Sequence, residues 1–286
     1  MEGTSRRQEV ARIPADLAPG DEAALRLDAS AIRVWPVRSV DDPWFSRAYE
    51  RLWAEFGESN EMEKREVIAS RLAWDPARPI GGYRYLYEML VVERGEELLA
   101  VRDHTAIAPV QTSAAPGAVI VHLSHVLVEA HWRGKGLAGW LRAFPLQAAR
   151  ECAAAGGAGA GSITLVAEME PPAQADAATL GRLASYGRAG FRKIDPTRVH
   201  YAQPDLRSAA AIDASGVQPV PLGLVIRRVG RENEPQIRGA EVRAIVAALY
   251  GMFAVHVRAE HMAPLWAAHD ELPADEDLVD LVHPTR

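Results

Sequence analysis

Among 286 residues there is one cysteine, Cys152. That count excludes an intrachain disulfide and any zinc site built on cysteine pairs, and it fits a reducing compartment, so a cytoplasmic location is expected. No apolar run approaches the ~20 residues that a bilayer span requires, and the opening "MEGTSRRQEVARIPADLAPG" carries no apolar core of the kind an export signal uses. Cations are not in excess either. A formal net charge of -6 argues against a general affinity for nucleic acid or an anionic membrane, while leaving room for a local basic patch. Two motifs are also missing: the GxxxxGK[ST] phosphate loop and HExxH. His256 and His261 lie five apart, a spacing that does not put two imidazoles on one helical face, and no metal is expected.

What is present reads as a globular chain, 48% hydrophobic and able to bury a sizeable core. Residues 1–30 mix charge with proline and glycine without periodicity, and are expected to form a loosely ordered arm. "AIRVWPVRSV" reads as a strand, followed by a helix with Phe45, Tyr49, Leu52, Trp53 and Phe56 at helical spacing. A polar helix and loop come next, then a hairpin turning near Gly95, then the apolar strand "GAVIVHLSHVLVEA". A helix from Gly136 to Ala155 ends in the linker "AAAGGAGAGS"; the strand "SITLVAEME", a helix stopped by Gly190 and two further strands complete the pattern. This order predicts an α/β fold, a mixed sheet with helices on its faces. Beyond residue 230, Val242, Ile245, Val246, Leu249, Tyr250 and Phe253 form one helical stripe. The predicted organisation is therefore an arm over 1–30, a domain over 31–230, and a helical extension over 231–286 packed on the sheet or on a second subunit, which leaves a homodimer open.

The segment "HWRGKGLAGWL" concentrates the chemistry. Glycines let successive amides turn toward one point, a helix starting there leaves its first N–H groups unpaired, and Arg133 and Lys135 add positive charge. Together they suit a phosphate; alone, the same glycines also suit a tight strand-to-helix turn.

Arg133, Gly134, Lys135, Gly136, Leu137 and Ala138 resemble the acyl-CoA loop of the GNAT (GCN5-related N-acetyltransferase) superfamily. "SYGRAGF" resembles that family's later motif on Tyr186, Gly190 and Phe191, and Val126 and Val128 stand in the usual apolar positions of the strand before the loop. The resemblance spans roughly residues 31–230. It implies a GNAT fold with a splayed central sheet and acetyl-CoA as co-substrate, its pantetheine arm along Val126, Leu127 and Val128 and its pyrophosphate on the loop from Arg133 through Gly134, Lys135, Gly136, Leu137 and Ala138 to Gly139. It implies N-acyl transfer, most simply of acetyl, by direct attack of an amine, with a small-molecule or peptide amine as acceptor. A non-catalytic acyl-CoA-binding module and a transferase of longer chains from CoA or acyl carrier protein are the alternatives.

The resemblance also distributes roles. Tyr186 stands where the family places the acid that protonates the CoA sulfur, or else it packs beneath the cofactor. Counting eleven residues back from Arg133 lands on His122, the candidate base, which could equally be a hydrogen-bonded histidine at the sheet surface. Ser124 shares its face in a regular strand while His125 points away, and a bulge would exchange them. Glu168, with Glu170, ends the flanking strand and could attract a cationic amine or serve as base, although alternating positions at a strand end also suit plain solvent exposure. Thr179 stands where the family often has Asn, which leaves the acceptor side unassigned. Trp132, Trp140 and Cys152 are expected as packing residues.

Overall fold

The computed structural model describes residues 8–57, 61–110, 118–157, 159–170 and 177–286. The chain enters the sheet with β1 (Ile32–Val37), crosses one face with α1 (Phe45–Phe56) and α2 (Arg65–Leu72), and returns as the long hairpin β2 (Tyr83–Arg94) and β3 (Glu97–Pro109). Gly95 makes the hairpin turn at φ 62°, a backbone region that costs glycine nothing. β4 (Ala118–His122) and β5 (Val126–Val128) follow, then α3 (Leu137–Ala143) and α4 (Pro145–Ala154), whose junction falls where Pro145 cannot donate a helical hydrogen bond. β6 (Ser162–Met169), α5 (Ala177–Arg188), β7 (Arg192–Ile194), β8 (Tyr201–Gln203), α6 (Ala209–Ser215), β9 (Val220–Arg228), β10 (Gln236–Arg238), α7 (Gly239–Phe253), α8 (Ala259–Asp270) and β11 (Leu278–Val282) complete it.

The strands run in the order β1-β2-β3-β4-β6-β9-β7-β11-β10, with β5 on β3 and β8 on β9. Only β4 and β6 pair in parallel among the described strands, as the intervening helical crossover requires. Strand alternation splits the core in two. Tyr85, Tyr87, Met89 and Val91 of β2 face α1, α2 and α7, while Leu86, Leu90 and Val92 face α3 and α4. The expected mixed sheet flanked by helices is therefore the observed one.

Two boundaries differ from expectation. The tail beyond 230 is not only helical: β10 and β11 join the sheet, β11 pairing with β7, because "QIR" and "LVDLV" supply apolar residues at strand spacing around one α-hairpin. Its stripe Ile245, Leu249 and Phe253 is 3%, 0% and 1% exposed against this chain's own sheet, so none of it remains for a second subunit. Residues 8–30 are not loose either. Asp16, Ala18, Asp21 and Ala24 are buried, and the segment crosses α4, α5 and α3 in turn. The reason is charge. Arg150 binds Asp16 and Arg142 binds Asp21 through both carboxylate oxygens, contacts across more than a hundred residues that local periodicity does not report. Residues 1–7 lie outside the described residues.

Removing Asp21 leaves the Arg142 guanidinium buried without a counter-charge. Asp21→Ala is expected to cost roughly 3–5 kcal/mol, read as a lower urea midpoint at unchanged slope.

Candidate active site

The site begins with one surplus residue. β4 pairs with β3 up to His122↔Thr105, and β5 resumes at Val126↔Arg102, so the three residues Leu123, Ser124 and His125 oppose only Asp103 and His104. This is a β-bulge, which bends a strand and re-aims its side chains. On its other side, β4 follows β6 to His122↔Val166, and Leu123 N still donates to Val166 O at 2.8 Å. Beyond that point β5 stays with β3 while β6 continues with β9. The sheet opens between them.

Among the described residues, no strand pairs with the other edge of β5. Its ladder bonds fall on residues 125, 127 and 129, as Asp103 N→His125 O and Glu129 N→Leu99 O show. The N–H and C=O groups of Val126 and Val128 therefore point away from β3 into the gap. Val128 O accepts there from Arg133 Nε at 2.9 Å.

A cavity of about 340 Å³ fills the opening, lined by both histidines, Ser124, Val126, Glu168 and Tyr186. His122 Nε2 lies 2.7 Å from Glu168 Oε2, and its Nδ1 lies 3.2 Å from Ser124 Oγ. Tyr201 OH donates to Glu168 Oε1 at 2.5 Å and Gln203 Nε2 donates to Oε2 at 3.2 Å. Burial alone would raise the Glu168 carboxyl, but these donors outweigh it and hold it below the ordinary value, as a carboxylate. A carboxylate on Nε2 selects the tautomer with the proton there, leaving the Nδ1 lone pair toward Ser124. Neither attraction of an amine nor service as base is matched by these contacts; with its oxygens already committed, Glu168 is placed to orient His122 instead. Glu170 binds Arg182 instead.

The second histidine, turned by the bulge, does something else. His125 Nδ1 meets Asp103 Oδ1 at 2.9 Å, and His125 Nε2 meets the Glu61 carbonyl at 2.9 Å. Tyr87 OH donates to Asp103 Oδ2 at 3.0 Å. Burial opposes the charge on His125, but Asp103 overcomes it and lifts the imidazole to about 9, while Asp103 falls to about 2. With both nitrogens committed, His125 braces the bulge from below.

Tyr186 reaches the cavity from α5, whose end explains its spacing to Gly190 and Phe191. Gly190 takes φ 78° just past the helix, and Phe191 N bonds back to Tyr186 O at 3.0 Å, the glycine-stopped helix cap. Phe191 then packs edge-on against the Tyr186 ring, centroids 4.8 Å apart. Behind the ring stand two cations. Arg142 lies 5.6 Å from its centroid. Arg102 is fully buried, donates to Leu141 O through Nη1 at 3.2 Å, and adjoins the Tyr186 hydroxyl. Burial lowers the Arg102 guanidinium below its ordinary value, and the adjacent Tyr186 oxygen acts in the opposite direction.

The loop partly answers the question its glycines pose. Gly136 has φ 90°, and a Cβ there would sit 2.7 Å from Ala23 O; a Cβ on Gly139 would sit 2.9 Å from the Ala24 methyl. These two glycines admit the N-terminal segment. Gly134, at φ 76°, faces open space. The amides of Gly134, Lys135, Gly136, Leu137 and Ala138 have no acceptor among the described residues, and Lys135 Nζ is held 4.8 Å over the Trp132 ring. Unpaired amides beside Arg133 and Lys135 fit an anionic phosphate. Trp132, Trp140 and Cys152 are buried packing residues, Trp140 Nε1 donating to Ala24 O.

Sequence reasoning passed over Tyr201, Gln203, Asp103 and Arg102. Tyr201 and Gln203 alternate in "HYAQ", a spacing that puts both on one strand face, although their partner lies far away in sequence. Nothing local marks Asp103 or Arg102. The stretch "PPAQAD", 171–176, lies outside the described residues.

No protein-family model and no curated protein matches this chain. Among solved structures it is similar to an aminoglycoside acetyltransferase from an uncultured soil metagenomic sample, in complex with trehalose, at 13% identity over 55% of this chain and 86% of that one, TM-score 0.33. It is similar also to the acetyltransferase yncA from Salmonella typhimurium with its cofactor acetyl-CoA, at 19% identity over 70% and 94% of the two chains, TM-score 0.33. A tandem GNAT protein from the clavulanic acid biosynthesis pathway gives 17% identity over 84% of this chain and 65% of that one, TM-score 0.37. Likeness this distant leaves the chemistry to the site's own atoms.

The His125–Asp103 pair makes stability depend on pH. Because the folded His125 value of about 9 exceeds the ordinary 6.5, its contribution is complete below about 6.5 and is lost as pH rises through about 9. Asp103, held at about 2 against 3.8, loses its contribution only as pH falls through about 2. The urea midpoint is expected to drop between pH 6.5 and 9, and His125→Gln to flatten that alkaline limb.

Proposed function

We propose that this chain is an acyl-CoA-dependent N-acyltransferase of the GNAT type, moving an acetyl group from the thioester to a primary amine. One observation carries the reading: an unpaired strand edge and a carboxylate-oriented histidine border one opening of the sheet, and the strand runs directly into a loop of unpaired amides with two cations. In this reading the amides from Gly134 to Ala138 hold the pyrophosphate, with Lys135 and Arg133 nearby. Val126 and Val128 offer backbone groups to the pantetheine arm, which would lie along β5 as an added strand. The thioester supplies an activated acyl carbon.

The residues of the chain then divide the proton work. His122, with Nε2 committed to Glu168, accepts the amine proton at Nδ1, directly or through water. The Val126 amide, directed into the gap, supports the carbonyl oxygen as negative charge develops on it. Tyr186 gives its hydroxyl proton to the departing sulfur. Arg102, a buried cation without a carboxylate partner among the described residues, favours the negative charge that this step leaves on Tyr186. Carboxylates outnumber arginines around the cavity, with Glu61, Glu63, Glu168, Glu170 and Asp205 against Arg182 and Arg207, which supports a cationic amine as acceptor.

Calorimetry should detect CoA binding, and thiol release from acetyl-CoA across a panel of primary amines should reveal turnover; absence of CoA binding would sink the reading. His122→Ala is expected to lower amine-dependent thiol release by about 10²–10⁴-fold without weakening CoA binding. Arg102→Met separates stability from activity. Replacing a buried cation that lacks a carboxylate partner by an apolar side chain of similar length is expected to leave the urea midpoint equal or higher, yet to slow transfer by about tenfold or more. A lower midpoint with unchanged turnover would assign Arg102 a purely structural place.

A further inference from the structure

Ser124 sits in the bulge with its hydroxyl on the cavity side, half-buried, 3.2 Å from His122 Nδ1. His122 in turn rests its other nitrogen on Glu168 at 2.7 Å. The carboxylate is fixed by Tyr201 and Gln203, so neither it nor the ring is free to turn. Nucleophile, base and orienter thus stand in sequence within hydrogen-bonding reach, the arrangement that activates a serine whatever fold carries it. Amine acylation by direct attack needs a base at His122 but has no use for a hydroxyl aligned on its lone pair. The adjoining Val126 N–H, directed away from β3, is placed to receive an oxyanion one residue beyond His125.

We propose that Ser124 is itself a nucleophile, and that the chain has a second activity: hydrolysis of acyl-CoA through an acyl-serine when no amine fills the cavity. The proposal rests on the acyl-CoA reading for its natural donor, and on the Ser124–His122–Glu168 geometry for its chemistry. In the first step the Ser124 oxygen bonds the acyl carbon while its proton passes to His122 Nδ1. The carbon–sulfur bond then breaks, and the sulfur leaves as a thiol with the proton from His122. In the second step water attacks the acyl-serine, its proton passes to His122 Nδ1, and the ester bond breaks as Ser124 recovers that proton. The sum is acyl-CoA and water to carboxylic acid and CoA, with no change of oxidation state.

Two donors separate this inference from the reading beneath it. The full chain is incubated without amine, once with acetyl-CoA and once with p-nitrophenyl acetate, which needs no CoA site. Wild type is expected to release thiol and nitrophenol, and an acid-quenched digest to carry one acetyl group on the peptide containing Ser124. Ser124→Ala is expected to lose about 10²-fold or more from both rates and to lose the adduct, while calorimetry shows desulfo-CoA binding as in wild type. Ser124→Cys, which keeps a nucleophile at that point, is expected to regain an adduct. Hydrolysis of both donors by Ser124→Ala at the wild-type rate overturns the proposal, as does an adduct on another residue alone. If desulfo-CoA fails to bind wild type, the acyl-CoA reading falls. Ser124-dependent cleavage of p-nitrophenyl acetate then upholds the nucleophile with a different donor, and its absence ends both.

Discussion

The extra residue between His122 and Val126 governs more of this molecule than any single contact. A regular β4–β5 strand would keep His122, Ser124 and Val126 on one face, and would carry β6 alongside for its whole length. With three residues opposing two, the strand bends, Ser124 stays beside His122, and His125 swings onto Asp103. The parallel pairing with β6 ends there. A bulge costs ladder hydrogen bonds, and the structure replaces them: Asp103 takes both the backbone and the ring of His125, and Tyr87 closes the other oxygen. The opened sheet is held open by buried charge.

Buried charge recurs around the opening with different outcomes. On the cavity face, Glu168 is surrounded by donors and remains a carboxylate that positions His122. Behind Tyr186, Arg142 is neutralised by Asp21 from the N-terminal segment, whereas Arg102 beside it has no carboxylate partner among the described residues. Desolvating an ion without a partner is expensive, so the two arginines divide the face into a stabilising contact and a strained one. The strained one adjoins the phenol whose proton the proposed transfer consumes.

The N-terminal segment changes the meaning of the glycine loop. Gly136 and Gly139 are small because Ala23, Ala24 and Asp21 press against them, while the amides from Gly134 to Ala138 have no acceptor among the described residues. One short stretch therefore has two sides, a wall of the molecule on one and, in the proposed reading, an anion cradle on the other. Gly136 and Gly139 answer to the tight steric turn, while Gly134 faces open space.

Much of the architecture was legible in order and period: the hairpin around Gly95, the helix closed by Gly190, the apolar stripe of α7, the mixed sheet that the succession of strands and helices implies. Those features follow from local rules, side-chain alternation and backbone freedom, which act over a few residues and are written wherever those residues are. His122, Glu168 and Tyr186 could be singled out along the chain, but not joined. What brought Glu168 to His122, Tyr201 to Glu168, Asp103 to His125 and Asp21 to Arg142 was folding, because a hydrogen bond between buried charges is set by distance in space and desolvation, neither of which has a period in sequence. For the same reason the N-terminal segment read as loose and the tail as separate: polar anchors and short strands take their order from partners far along the chain.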